Sequence, residues 1–401
     1  MSRPTTRPNA DLLHANRNHP EVVIVEEGMR EGMQIESAGI TTENKIRLLD
    51  ALSATGLKNI VVGSFVSPKW VPQMAHVEEV IDGFTPAAGV RYTALALNAK
   101  GAERRAAFAP KISGPDPSVG QTRIHLDDVF VKRNTARSLE DEVAAVPGTI
   151  ERAVANGATE AQVAINACWG SNWIGEISEE TRMQYLQLQI DAWEAAGIPV
   201  TRIQFGDPMS WNTPAAMRSQ IRRVLETWPQ ITNFQLHLHN GRGMAPLSAY
   251  AAFTELDSRH TLVVDTAIGG LGGCPYCGNG RATRMIPTED FVHFLESEGV
   301  DTGIDLRALI EAALLAEEVV GHELWGHVSK VGPRPYGADV YAMDMPFIET
   351  FEEAQHFRLG PDTYAGALAP WKQAVTSAAR DDFERSLLAR DGQLAQTGDS
   401  A

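Results

Sequence analysis

Eight short runs rich in apolar and β-branched residues recur along the chain, at residues 22–25, 59–62, 92–97, 123–126, 161–165, 202–205, 234–238 and 262–267. Between most of them lie helical patterns with their own start and stop signals. Residues 45–53 are closed by Gly56, Ser138 and Asp141 form a capping-box pair, and a helix over 178–196 stops at Gly197. Strand followed by helix at roughly 30-residue spacing predicts parallel βα units, and eight units is the number that closes a (β/α)8 TIM barrel of about 250 residues. An open doubly wound sheet is the alternative. It fits less well, because the first strand runs into Gly28-Met29-Arg30-Glu31-Gly32 and not into a dinucleotide-binding glycine turn.

This reading divides the chain into a flexible N-terminus (1–20), a TIM-barrel catalytic domain (21–305), a C-terminal, mainly helical or irregular extension packed on the barrel (306–390), and a disordered tail (391–401). The extension holds an apolar helix pattern over 306–320, Trp325-Gly326-His327 and Met343-Asp344-Met345-Pro346-Phe347. It is expected to cover the barrel mouth or to form a subunit interface.

Charge and cysteine content narrow the function classes. With 35 Lys and Arg against 51 Asp and Glu, the formal charge of −16 leaves no broad basic footprint for nucleic acid or an anionic membrane. No stretch approaches the roughly 20 apolar residues that span a bilayer, and the polar first 20 residues lack the apolar core of a secretory signal. Three cysteines are too few for a disulfide framework and suit a reducing compartment, so the cytoplasm is expected.

A TIM barrel builds its active site just beyond the C-terminal ends of its strands, and there the polar residues of this chain collect. Arg30, Glu31 and Gln34 follow the first strand, Ser64 and Lys69 the second, and Asn98 and Lys100 the third. Asp207 follows the sixth, His237 and His239 end the seventh, and Gly269-Gly270-Leu271-Gly272-Gly273-Cys274 follows the eighth. Two residues apart on a strand, His237 and His239 project to one side and offer an imidazole edge for a divalent cation, completed by a carboxylate from another strand end. For an arbitrary pair of this spacing, hydrogen-bonded interior histidines are the commoner outcome; the position at a strand end in a barrel reverses that preference. The glycines before Cys274 supply a sharply turning backbone. They would set Cys274 on a mobile loop over the site as an acid or base, although a buried inert thiol is the usual fate of a free cysteine. Arg30 suits a carboxylate or enolate oxygen, whereas Asp207 and Glu31 read equally well as structural carboxylates. Lone lysines such as Lys69 and Lys100 are usually solvated.

Ser64-Phe65-Val66-Ser67-Pro68-Lys69-Trp70-Val71-Pro72-Gln73-Met74, the glycine-cysteine loop 269–276, the His-x-His pair and Thr288-Glu289-Asp290 together resemble the 3-hydroxy-3-methylglutaryl-CoA lyase family, over about residues 21–310. The resemblance implies metal-dependent cleavage of a tertiary hydroxyacyl-CoA to a keto acid and acetyl-CoA, with Mg2+ or Mn2+ as cofactor. It implies Arg30 as stabiliser of the enolate, Asp207 as assistant in hydroxyl proton transfer and Cys274 as proton donor to the enolate carbon. Glu31, His237, His239 and Asn279 would be metal ligands, with Gln34, Ser64, Lys69, Asn98 and Lys100 near the substrate. Homo-oligomerisation is also implied.

The departures from that family fall at the site. Glu31 replaces an aspartate, Val61 an acidic residue, and Arg284-Met285 a Gly-Asn pair, so that Asn279 becomes the substitute ligand. Methionine is a poor ligand for a hard cation. A condensing synthase joining acetyl-CoA to a 2-oxo acid, a CoA-independent hydroxy-acid aldolase, and a catalytically weak small-acid-binding barrel remain the alternatives.

Overall fold

The computed structural model describes residues 18–335, and its barrel unit runs to Ser329. Eight parallel strands form one curled sheet: β1 (Glu21–Glu26), β2 (Asn59–Ser64), β3 (Arg91–Leu95), β4 (Val119–His125), β5 (Glu160–Asn166), β6 (Val200–Asp207), β7 (Asn233–Leu238) and β8 (Thr261–Thr266). Their order is β3-β2-β1-β8-β7-β6-β5-β4, so the first strand pairs with the last as a TIM barrel requires. The ladder is interrupted between β3 and β4, where β3 instead makes a single parallel bridge from Thr93 to Ser113.

All eight expected strands are present, most with ends moved by one or two residues. The third stops at Leu95, leaving Leu97 71% exposed, and the fourth begins at Val119, ahead of the expected 123. The first residues of β4 carry no apolar run because Gly120 makes room for the Trp193 ring packed over it, where a Cβ would stand 2.2 Å away.

Register sorts the two faces of the sheet. Ile24, Val264, Leu236, Phe205, Ile165 and Ile124 are aligned across six strands and buried under the outer helices. Each such side chain contributes about 1.5–3 kcal/mol of transfer free energy. The neighbouring row of opposite parity, Gln235, Gln204 and Arg123, is polar. There Gln162 donates to Gln235 (3.1 Å) and Arg123 to Gln204 (3.0 Å). Usual TIM interiors are filled by branched apolar residues; this one carries amides and a guanidinium below its mouth.

The helices follow the signals in the sequence. Thr42–Ser53 begins on the side chain of Thr41, which accepts from Asn44 N, and Glu179–Ala195 begins on Ser178, which accepts from Thr181 N. Ser138 and Asp141 cap each other's backbone reciprocally at the start of Leu139–Ala144. Such caps are worth about 1 kcal/mol each. The helix Leu306–Val320 lies in the barrel unit, where Glu318 reaches Arg47 on the first outer helix at 3.2 Å. The expected N-terminal arm up to residue 17 and the segments 336–390 and 391–401 lie outside the described residues.

Candidate active site and metal centre

The site begins in the turn after β1. The amides of Arg30, Glu31 and Gly32 all point to the carbonyl of Glu27, at 2.9, 2.8 and 3.2 Å, giving a single wide π-turn over Gly28–Gly32. Buried Glu26 stitches this turn to the loop after β8, its Oε1 accepting from Gly28 N (2.7 Å) and Ile268 N (2.9 Å) while Oε2 accepts from the Thr288 hydroxyl. The wide turn sends Arg30 and Glu31 into the barrel mouth, where Arg30 is gripped by Glu27 (2.7 Å) and Glu31.

Glu31, His237 and His239 each offer a ligand atom, and the three atoms all lie within 4.8 Å of one another. They are the one group of three or more His, Cys, Asp and Glu side chains found in metal-binding proximity among the described residues. His239 Nε2 is 3.7 Å from Glu31 Oε1, and the two imidazoles meet edge to face at 5.5 Å between centroids. His237 Nδ1 is bonded to Asp265 Oδ2 (2.9 Å), which leaves its Nε2 for a ligand. Asp265 is in turn fixed by Gln235 Nε2 (3.0 Å).

Electrostatics holds Glu31 and His239 in their ligating forms. Burial pushes the His239 imidazole down to about 3, so it is neutral near pH 7. Burial alone would raise the Glu31 carboxyl, yet Arg30, His239 and His237 together hold it below its ordinary value. For His237, burial works downward, and the hydrogen bond and charge of Asp265 outweigh it and raise the imidazole. The donor set of one carboxylate oxygen and two imidazole nitrogens suits a divalent cation of the Mg2+ to Mn2+ type, with open positions for substrate oxygens. These residues fit the ion that the sequence called for.

Asp207 is fully buried at the end of β6. Its Oδ2 accepts from Asn212 N (2.6 Å) and Asn212 Nδ2 (2.7 Å), Oδ1 has no partner, and burial raises its carboxyl. Cys274 sits in a loop that depends on its glycines. Gly272 has φ +123°, and a Cβ there would stand 2.8 Å from Met285 Cγ and 3.6 Å from Glu31 Cγ, so the loop runs directly against the carboxylate. Cys274 itself is 7% exposed, packed with Phe130, Ala167, Met209 and Cys277. The thiol is therefore held in a packed cluster beside the site.

The remaining expected residues are spread more widely. Gln34 joins the cluster, donating to Glu31 Oε2 at 2.9 Å. Ser64 is buried at the end of β2 with an unpartnered hydroxyl. Asn98 is exposed and caps Ala99–Ala106, accepting from Gly101 N (2.9 Å), while Lys69, Lys100 and Asn279 are exposed. Met285 is buried, its backbone bridged to His239 and its side chain beside Gly272. Three partners escaped the sequence reading: Glu27, Asp265 and Asn212. Asp265 carried a signal, an acid ending the otherwise apolar run Leu262-Val263-Val264.

The HMGL-like family model matches residues 21–315. The chain belongs to this family. Among its relatives, the 3-hydroxy-3-isohexenylglutaryl-CoA/hydroxy-methylglutaryl-CoA lyase of Pseudomonas aeruginosa is 32% identical over 303 residues, spanning 75% of this chain and 93% of that protein. The mitochondrial hydroxymethylglutaryl-CoA lyase of Mus musculus is 32% identical over 292 residues, 73% of this chain and 83% of the relative. A solved HMG-CoA lyase of Acinetobacter baumannii, in complex with coenzyme A and 3-methylmalate, superposes with a TM-score of 0.63 at 28% identity, covering 78% of this chain and 96% of that one. This HMGL-like chain thus keeps the lyase barrel around its own version of the mouth. Among the described residues no helix is long and apolar enough to cross a membrane.

Proposed function

We infer that the chain is a carbon-carbon lyase acting on 3-hydroxy-3-methylglutaryl-CoA or a close tertiary hydroxyacyl-CoA, yielding acetyl-CoA and a keto acid. The observation that carries this reading is the convergence of Glu31, His237 and His239 at the barrel mouth with Arg30 in contact with the same carboxylate, in a chain 32% identical to lyases of that substrate class.

Glu31, His237 and His239 would hold the divalent ion, and Mg2+ or Mn2+ fits their mixed oxygen and nitrogen donors. When bound, such an ion supplies Lewis acidity toward the substrate's hydroxyl and carboxylate oxygens. Asp207 holds a raised carboxyl with one unpartnered oxygen, suited to exchanging the hydroxyl proton as the carbon-carbon bond breaks. The electron pair of that bond passes to the thioester as an enolate. Arg30, kept cationic by Glu27 and Glu31 despite its burial, offers the guanidinium that meets the enolate oxygen. Cys274 supplies the proton to the enolate carbon, completing acetyl-CoA. Asn279, Gln34, Ser64, Lys69, Asn98 and Lys100 would complete the ligand and substrate contacts; Gln34 donates to Glu31, Ser64 is buried with an unpartnered hydroxyl, and the other four are exposed. The reading places the enzyme in the cytoplasm as a homo-oligomer.

The test is product analysis. Purified protein loaded with Mg2+ or Mn2+ is incubated with 3-hydroxy-3-methylglutaryl-CoA, with and without chelator, and acetyl-CoA and acetoacetate are quantified. Chelator-sensitive appearance of both is expected; no cleavage by protein shown to carry its ion would reject the substrate.

A further inference from the structure

The chain places a second thiol three residues beyond the proposed proton donor, in Cys274-Pro275-Tyr276-Cys277, and the reaction gives this thiol no task. Cys277 N donates to Cys274 O at 3.2 Å, closing a four-residue turn that passes through the short 3-10 segment Pro275–Cys277. Such a turn keeps its end Cα atoms within about 7 Å, and disulfides bridge Cα atoms about 4.4–6.8 Å apart. The two cysteines are packed in the same buried cluster with Phe130, Ala167 and Met209.

The turn is also fastened from outside. Asn172 Nδ2 donates to Cys277 O (2.9 Å) and Arg133 Nε to Tyr276 O (3.0 Å), while Gly278 ends it in the left-handed region at φ +88°. Two thiols held in this way by the fold meet at high effective concentration, which favours an intramolecular bond over a mixed one with an external thiol. The third thiol, Cys168, buried like Cys277, lies outside that cluster and donates to Ile165 O (3.1 Å), so it serves as an internal reference.

We propose that Cys274 and Cys277 form a dithiol modification site that a low-molecular-weight disulfide of the glutathione class converts to an intrachain disulfide, withdrawing Cys274 from the reaction. Cys274, as thiolate, attacks one sulfur of the external disulfide and expels one thiolate. Cys277, as thiolate, then attacks the Cys274 sulfur of the mixed disulfide and expels the second. The protein dithiol is oxidised by two electrons, the external disulfide is reduced to two thiols, and the two protons lost by the cysteines end on them. The loss of activity rests on Cys274 being the donor; formation of the bond does not.

The experiment equilibrates the full-length, metal-loaded enzyme across ratios of oxidised to reduced glutathione, quenches with acid, alkylates, and reads intact mass, linked peptides and cleavage rate. The expected result is a Cys274–Cys277 link with Cys168 still alkylated, a cleavage rate falling in proportion to the linked fraction, and full recovery with dithiothreitol. The Cys277→Ala variant keeps its unoxidised rate and takes up at most a glutathione adduct on Cys274. A link that forms while the rate holds supports the modification site and removes Cys274 from the proposed reaction, so the two readings fail separately. Adducts without a link in the wild type, or a link through Cys168, would overturn the proposal.

Discussion

His237 Nδ1 and Asp265 Oδ2 lie 2.9 Å apart, with both residues on adjacent strands and Asp265 held on its other oxygen by Gln235. The bond fixes which imidazole nitrogen remains for a ligand, and the carboxylate raises the basicity of that nitrogen. Replacing Asp265 by Asn keeps the size and loses the charge. A loss of about 10–100-fold in metal affinity or in kcat is expected, since partners of metal-binding histidines carry effects of that order. Metal titration of wild type and Asp265→Asn, alongside steady-state kinetics, checks it; equal affinity and rate would mean that Asp265 only packs.

Arg30→Lys tests the guanidinium. Arg30 reaches Glu27 through Nε and Glu31 through Nη1, a fork that a lysine ammonium cannot reproduce from one nitrogen. The variant keeps the positive charge and is expected to lose on the order of 100-fold in kcat, the magnitude usual for removal of one oxyanion-stabilising donor. A rise in KM with kcat unchanged would instead make Arg30 a binding residue.

Cys274→Ala is expected to lower kcat on the order of 100-fold or more with little change in KM, because a proton donor acts in the transition state and contributes little to ground-state binding. Full activity in this variant would return Cys274 to a packing role among Phe130 and Met209.

The strands were legible because the buried row from Ile24 to Ile124 is apolar wherever it crosses the sheet, and that parity is visible within each run of sequence. His237 and His239 were legible for the same reason, as two like residues on one side of one strand end. What local pattern does not encode is which distant side chain answers which. Asp265 meets His237 only through the pairing of β7 with β8, and Asn212 meets Asp207 only after the chain turns back beyond β6. The packing of Cys274 was equally hidden: its neighbours Phe130, Ala167 and Met209 come from the helix Asp128–Thr135 and from the turns after β5 and β6, so a flexible placement was the natural expectation from its flanking glycines.

Gly120 on β4 faces Trp193, whose indole nitrogen donates to Thr122 at 3.0 Å on the same strand. A methyl group at position 120 would lie 2.2 Å from the ring, too close for any contact, and the indole hydrogen bond resists its retreat. Gly120→Ala is expected to destabilise the barrel by about 1–3 kcal/mol, as overpacking of a filled core does. Urea unfolding reads this as a lower midpoint with unchanged slope; an unchanged midpoint would show that Trp193 moves freely.

Glu289 is fully buried at the start of the helix Thr288–Ser297, with Oε2 accepting from Gly269 N (2.9 Å) and Oε1 unpartnered. Burial, with Asp290 nearby, pushes its carboxyl from 4.5 up to about 8. A folded-state value above the unfolded one means that the folded form keeps the proton while the unfolded form gives it up. Stability from this group is therefore complete below about pH 4.5 and declines until about pH 8, by up to about 1.4 kcal/mol per pH unit. Glu26, pushed by burial to about 7, adds to the decline over the lower part of that window. Glu289→Gln removes one titration, so unfolding free energies of wild type and variant, measured from pH 5 to pH 8.5, should diverge in the variant's favour as pH rises. Parallel profiles would show that Glu289 is ionised in the folded barrel and paired by a group that the buried hydrogen bonds do not include.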